Sequence, residues 1–213
     1  MTFPTAEAYR LYQHLEGMEG STSVQWCPTV EKLLKPFNIT QHGRATAYTL
    51  PWLSREDCEA LRAEFAVSEY SVNEEEEEAA RIPEIVLAEH HEELHAQLSQ
   101  LFSNEMLAIV TALTGHKIKT FESIQLAKYS PEGVAQGTWH TDQDSDVTIT
   151  VALNDDYEGG GLRISEGGHY GAVHEIPKQP TGTATVFCGR MCHHYGLPVT
   201  KGTRDLLVFW CKI

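Results

Sequence analysis

The sequence predicts an α+β chain in which helices come first and a jelly roll of short strands follows. Three observations carry this reading. Apolar residues recur at helical spacing between residues 54 and 115. Beyond residue 118 the texture changes to short β-branched and aromatic runs, separated by Gly, Pro, Asp and Asn clusters. No helical pattern lies between those runs, which favours an antiparallel sandwich or jelly roll over parallel β-α-β winding.

Residues 1–44 are mixed, with Gly17, Gly20 and a Ser21-Thr22-Ser23 patch, and read as an N-terminal extension to a domain over 45–213. Residues 45–50 suit a strand. Pro51-Trp52-Leu53 then leads into Ser54-Arg-Glu-Asp57, a helix start with Ser54 as N-cap and Asp57 three positions on. Cys58, Leu61 and Phe65 follow at spacings of three and four and give that helix an apolar face. The five carboxylates Glu74 to Glu78 suit a solvated loop or helix start. Residues 83–113 read as helical, with Leu87, Leu94, Leu98, Leu101, Phe102, Leu107, Val110 and Leu113 in phase. Ser103-Asn104 interrupts that run, as one bent helix or two, and Gly115 stops it. Strands are expected over residues 121–129, 147–153, 162–164, 172–176, 183–188 and 206–210. Gly159-Gly160-Gly161 reads as a strand connection needing positive φ, not a phosphate cradle, because no helix start follows it.

With 213 residues, 41% hydrophobic and 22% charged, the chain can bury a core without disulfides. Its net charge of -14 argues against nucleic acid and anionic membranes as partners, and leaves cationic substrates or a well-solvated surface. No apolar stretch approaches the roughly 20 residues of a membrane span. The first ten residues carry no secretory signal pattern. Cys27, Cys58, Cys188, Cys192 and Cys211 are odd in number and form no CxxC pair, so reduced thiols and a cytoplasmic compartment are expected.

Two metal motifs compete. His91-Glu-Glu-Leu-His95 spells H-E-x-x-H; on a helix its histidines share a face and could hold zinc, with Glu92 as general base of a metallohydrolase. The positions where a metzincin extension needs Gly and a third His hold Leu98 and Leu101. A Glu-rich helix can also spell the motif by chance on a solvated face. The second motif is His140-Thr-Asp142, with His193-His194 about fifty residues later. In an extended chain His140 and Asp142 point to one side. A distant His can complete a two-His, one-carboxylate set, which covers one face of an octahedral Fe(II) and leaves three positions open. A chelating 2-oxo acid has a second carboxylate that needs a buried cation. Arg204, ten residues after His194, has a planar fork suited to it.

Residues 121–213 resemble the catalytic domain of Fe(II)/2-oxoglutarate-dependent dioxygenases of the prolyl 4-hydroxylase type, with the procollagen lysyl hydroxylases as the nearest echo. His140-Thr-Asp142, Val151-Ala-Leu-Asn154, Asp156-Tyr-Glu-Gly-Gly-Gly161 and His194-Tyr-Gly-Leu-Pro-Val-Thr-Lys-Gly-Thr-Arg204 carry the likeness. Residues 48–58 extend it weakly. The resemblance implies a double-stranded β-helix of about eight core strands, buttressed by the helices on one sheet. It implies metal ligands His140, Asp142 and His194, with His194 preferred to His193 for its spacing to Pro198 and Arg204. Arg204 would hold the distal carboxylate of 2-oxoglutarate, and Tyr129, Thr148, Thr150 and Trp210 would line the cosubstrate pocket. Ala152 stands where some relatives have a tyrosine. The implied activity is O2-dependent hydroxylation of an amino-acid side chain, lysine or proline, free or in a peptide, releasing succinate and CO2, with ascorbate as an admissible auxiliary reductant. A catalytically silent binding domain is the other class such a fold admits. The oligomeric state is not legible.

Overall fold

The computed structural model describes residues 5–16, 28–44, 46–74, 78, 81–166 and 171–213. The Gly17–Ser23 patch, Cys27 and the middle of the acidic run lie outside them.

Helices α1 (Thr5–Glu16) and α2 (Pro28–Leu34) open the chain, followed by strands β1 (Thr40–His42) and β2 (Ala47–Pro51). Helix α3 (Arg55–Glu64) starts as its sequence dictates. The Ser54 hydroxyl accepts the Asp57 N–H at 3.1 Å and donates back to the Asp57 carboxylate. Cys58 and Phe65 are buried on its inner side.

Residues 83–113 are not helical throughout. Glu84–Val86 form a short strand, β3, and α4 (Leu87–His90), α5 (Glu92–Glu105) and α6 (Leu107–Thr114) follow. The breaks fall at His91 and Met106 rather than at Ser103-Asn104. The adjacent β-branched pair Ile85-Val86 is the local reason for a strand. Gly115, at φ 75°, caps α6 as expected.

The strand-rich half supplies β4 (Thr120–Tyr129), β5 (Val147–Ala152), β6 (Glu158–Gly159), β7 (Leu162–Ser165), β8 (Val173–Ile176), β9 (Thr183–Phe187), β10 (His194–Gly196), β11 (Val199–Lys201) and β12 (Arg204–Lys212). Seven strands form one antiparallel sheet in the order β1-β2-β9-β5-β12-β4-β3. A three-stranded sheet, β10-β7-β8, and the pair β11-β6 complete the double-stranded β-helix.

Each face of the large sheet has its own task. Ile149 and Val151 of β5, Val186 of β9, and Leu207, Phe209 and Cys211 of β12 are fully buried against the helices. Trp52, Phe102, Phe121 and Phe209 join there, with Trp52 and Phe209 rings 5.2 Å apart and Phe102 and Phe121 edge-to-face at 5.1 Å. Ala8, Leu11, Val30 and Leu34 lie in that same core, and β1 pairs with β2, so the described residues ahead of residue 45 share the core of the rest. On the opposite face, Ala47 and Phe187 pack against Leu162, Ile164 and Ile176 of the small sheet. Alternation along β5 and β12 therefore sends Thr148, Thr150, Ala152, Arg204, Leu206, Val208 and Trp210 into the space between the sheets.

Candidate metal centre

His140, Asp142 and His194 converge in that space, with one ligand atom of each within 4.8 Å of the others. Backbone pairing holds the two histidines together. His140 N–H donates to His194 C=O at 3.1 Å, and His194 N–H donates back at 2.8 Å. Each imidazole is aimed by its own chain: Nδ1 of His140 lies 2.7 Å from Thr138 C=O, and Nδ1 of His194 lies 2.9 Å from Cys192 C=O. A carbonyl only accepts, so both Nδ1 atoms carry the proton and both Nε2 atoms present lone pairs. Those Nε2 atoms face Asp142 Oδ1, at 3.2 Å from His140 and 3.6 Å from His194.

The electrostatics suit a cation. Burial pushes the Asp142 carboxyl up; with the imidazoles protonated, the His140 hydrogen bond, the charge of His194 and the Thr148 hydroxyl together outweigh burial and hold the carboxyl below the ordinary carboxylate value. Burial also lowers the His194 imidazole, against an upward pull from Asp142, which favours the neutral form a metal needs. Asp142 and His194 are nearly closed to solvent, whereas the His140 side chain is 43% exposed. The open side of the centre is therefore its His140 side.

Arg204 opens β12 and is buried. Its guanidinium lies 5.4 Å from the centre of the Tyr129 ring, and Nη1 donates to Gly161 C=O at 3.1 Å. Its Nε is buried with no hydrogen-bond partner among the described residues. Beside it is a small cleft lined by Thr150, Ala152, Tyr157, Thr185 and Leu206. A buried guanidinium with an unspent donor, next to hydroxyl-lined space, is chemically fitted to an anion.

The remaining expected site residues separate. Thr150 lines the cleft; Tyr129 instead supports the guanidinium from its ring face. Thr148 is turned to the Asp142 carboxylate, 2.5 Å from Oδ2, and is not part of the cleft lining. Trp210 shares the inward face, opposite Thr148, half-buried and away from the cleft lining. His193 is exposed and stacks on Trp139, with ring centroids 6.1 Å apart.

Sequence reasoning missed Tyr157 and Thr185. Tyr157 lies inside the quoted Asp156–Gly161 motif, and a Cβ on Gly160 would stand 2.7 Å from its ring, so the glycine run also makes room for this side chain. Gly159, Gly160 and Gly161 all have positive φ, as their sequence suggested. Thr185 is paired with Thr150 across β5 and β9, and only the strand register reveals that.

The H-E-x-x-H motif does not lie on one continuous helix. His91 has φ -143° and lies at the break between α4 and α5, with its ring edge-on to Phe65 at 4.7 Å. The two histidines thus do not share a continuous helical face, and the ring of His91 packs rather than pointing into water. Among the described residues, only His140, Asp142 and His194 form a group of three metal-ligating side chains. His91→Ala and His95→Ala are accordingly expected to leave metal content unchanged, measured by elemental analysis of the purified protein. Loss of one metal equivalent in the double variant, with the His140 centre still loaded, would revive the zinc reading.

No family model matches the chain. Among curated proteins, procollagen-lysine,2-oxoglutarate 5-dioxygenase 1 of Rattus norvegicus is 38% identical over 92 residues, covering 41% of this chain and 12% of that protein. The alignment thus spans about an eighth of that relative's length. Among solved structures, a non-heme α-ketoglutarate-dependent carbocyclase from nogalamycin biosynthesis aligns with a TM-score of 0.60 at 14% identity, over 89% of this chain and 87% of that one. A prolyl hydroxylase from Trichoplax adhaerens, in complex with a hypoxia-inducible-factor peptide fragment, aligns with a TM-score of 0.62 at 15% identity, over 79% of this chain and 84% of that one. The chain is thus similar in sequence, over less than half of its length, to a procollagen lysyl hydroxylase, and it shares the fold of the carbocyclase and the prolyl hydroxylase over most of its length.

Proposed function

We propose that this chain is an Fe(II)- and 2-oxoglutarate-dependent hydroxylase acting on an amino-acid side chain, lysine or proline, free or in a peptide. The observation that carries the proposal is the convergence of His140, Asp142 and His194 in one inter-sheet space that also holds a buried Arg204 with an unspent donor. Two neutral imidazoles and one carboxylate fit Fe(II) and leave half its coordination sphere open. With iron, 2-oxoglutarate and O2 bound, such a centre couples oxidative decarboxylation to succinate and CO2 with transfer of one oxygen atom into a C–H bond.

The chain's own residues set the conditions for that chemistry. Asp142 supplies the single anionic ligand, with the Thr148 hydroxyl donating to its outer oxygen. His140 and His194 present Nε2 in fixed orientation because their Nδ1 protons are committed to backbone carbonyls. Arg204 binds the far carboxylate of the cosubstrate, steadied by Tyr129, while Thr150 and Thr185 offer hydroxyls along the cleft. Ala152 adds no polar group there, so the anchoring falls more heavily on Arg204. The exposed edge of His140 is where a side chain from solvent can reach the centre. The net charge of -14 favours a cationic substrate, and the lysyl hydroxylase likeness in sequence points the same way.

Succinate release from Fe(II)-loaded protein tests this, against a panel of lysine- and proline-containing peptides and the free amino acids. We expect turnover above the substrate-free level in at least one lysine or proline arm. No succinate in any arm, uncoupled turnover included, would make the chain a silent binding domain instead.

A further inference from the structure

We propose that Thr148, backed by Ser145, is a positioning residue that holds Asp142 to coordination through one oxygen, and is not a cosubstrate contact. This rests on the reading of His140, Asp142 and His194 as metal ligands. The two carboxylate oxygens of Asp142 have different surroundings. Oδ1 faces both imidazoles, at 3.2 and 3.6 Å. Oδ2 meets Thr148 Oγ1 at 2.5 Å.

Thr148 Oγ1 is also 2.9 Å from Ser145 Oγ. One hydroxyl has one proton, and the carboxylate is the stronger acceptor, so Thr148 donates to Asp142 and Ser145 donates to Thr148. Both hydroxyl residues are shut away from solvent, at 2% and 0% exposure, so water cannot replace either partner. The chain closes over this relay at Gly189. Its C=O accepts the Asp142 N–H at 3.1 Å, and a Cβ there would stand 2.5 Å from Thr148 Oγ1 and 2.6 Å from Ser145 C=O. Asp142 is therefore fixed at its backbone by Gly189 and at its outer oxygen by Thr148.

The consequence is one of counting. A carboxylate can ligate through one oxygen or two. With Oδ2 tied back, the three side chains would offer a six-coordinate metal three ligands and would leave room for a two-point chelator and a diatomic gas. A carboxylate free to turn could take a fourth position or swing off the metal.

Thr148→Val keeps the shape and removes the hydroxyl; Thr148→Ser restores it. In the full chain without oxygen, Co(II) titration is expected to show about 10- to 100-fold weaker binding in Thr148→Val, the usual cost of losing an outer-shell partner, and near wild-type affinity in Thr148→Ser. A second readout is the visible charge-transfer absorption that chelated 2-oxoglutarate gives with Fe(II). It should be weakened in metal-saturated Thr148→Val and normal in Thr148→Ser. Wild-type affinity and wild-type absorption in Thr148→Val would overturn the proposal. If the valine variant does not fold, Ser145→Ala decides, with weakened Co(II) binding expected and unchanged binding overturning it. Absence of metal binding in the wild type is a separate outcome, which removes the ligand reading on which both this proposal and the proposed function stand.

Discussion

Substituting alanine for His140, Asp142 or His194 is expected to abolish Fe(II)-dependent 2-oxoglutarate turnover, whereas His193→Ala retains most of it. The three side chains offer the only group of its kind among the described residues, so a lost ligand has no replacement nearby. Asp142→Ala should have the largest effect on metal retention, because it removes the sole negative charge at the centre and strands the Thr148 and Ser145 hydroxyls without their acceptor. His140→Ala and His194→Ala each leave one imidazole with Asp142, too few donors for a stable site. His193 differs because its exposed ring lies on Trp139, outside the inter-sheet space. Elemental analysis and succinate release on all four variants make the check. A dead His193→Ala beside an active His194→Ala would mean that the wrong member of the pair had been assigned.

Arg204→Ala is expected to weaken 2-oxoglutarate binding at least tenfold while leaving Fe(II) affinity nearly unchanged. A hydrogen bond to a charged partner contributes about 1.5–3 kcal/mol, and about 1.4 kcal/mol already corresponds to a factor of ten. Arg204 is only 8% exposed, so solvent screening does little to reduce its pull on a carboxylate. Removing it would also leave the cosubstrate's far carboxylate buried and unpaired, a second cost on top of the lost bonds. Arg204→Lys should recover part of the loss, as a point charge lacking the planar fork. Anaerobic titration of 2-oxoglutarate into the three Fe-loaded proteins measures this. Equal affinity in wild type and Arg204→Ala would place the anchor elsewhere.

Much of this site is legible in the sequence because its parts are set by short-range rules. Two-residue alternation puts Thr148 and Thr150 on one face, and Arg204 on the face of Trp210, while the family resemblance says that this face is inward; the N-cap at Ser54 follows from residue type. What escapes is long-range. Strands β6, β10 and β11 have two or three residues each and exist only because their partners are brought alongside, so no local run announces them. The strand at Glu84–Val86 is hidden within a helical hydrophobic pattern, and pairing with β4 reinforces the weak local preference of Ile85-Val86 for extension. Thr148 shows the limit most clearly. Its face follows from the alternation, but its bond to Asp142 depends on the turn through Ser145 and on the closeness of Gly189. His91 shows the converse: a literal motif match says nothing about a break in the helix that spells it.

The two-faced character of β5 and β12 also bears on how such a chain can change over time. Ile149, Val151, Leu207 and Phe209 answer to the helices, while Thr148, Thr150, Arg204 and Trp210 answer to the space between the sheets. Neighbouring positions on one strand thus carry separate obligations, and mutations at alternate residues should partition into those that cost folding and those that alter chemistry. A lineage could then explore new cosubstrate contacts at position 150, or new walls at position 210, without eroding the aromatic packing one residue away. Drift in the helices could likewise proceed without disturbing the grouping of His140, Asp142 and His194. The pleat of the sheet is what keeps these two histories independent.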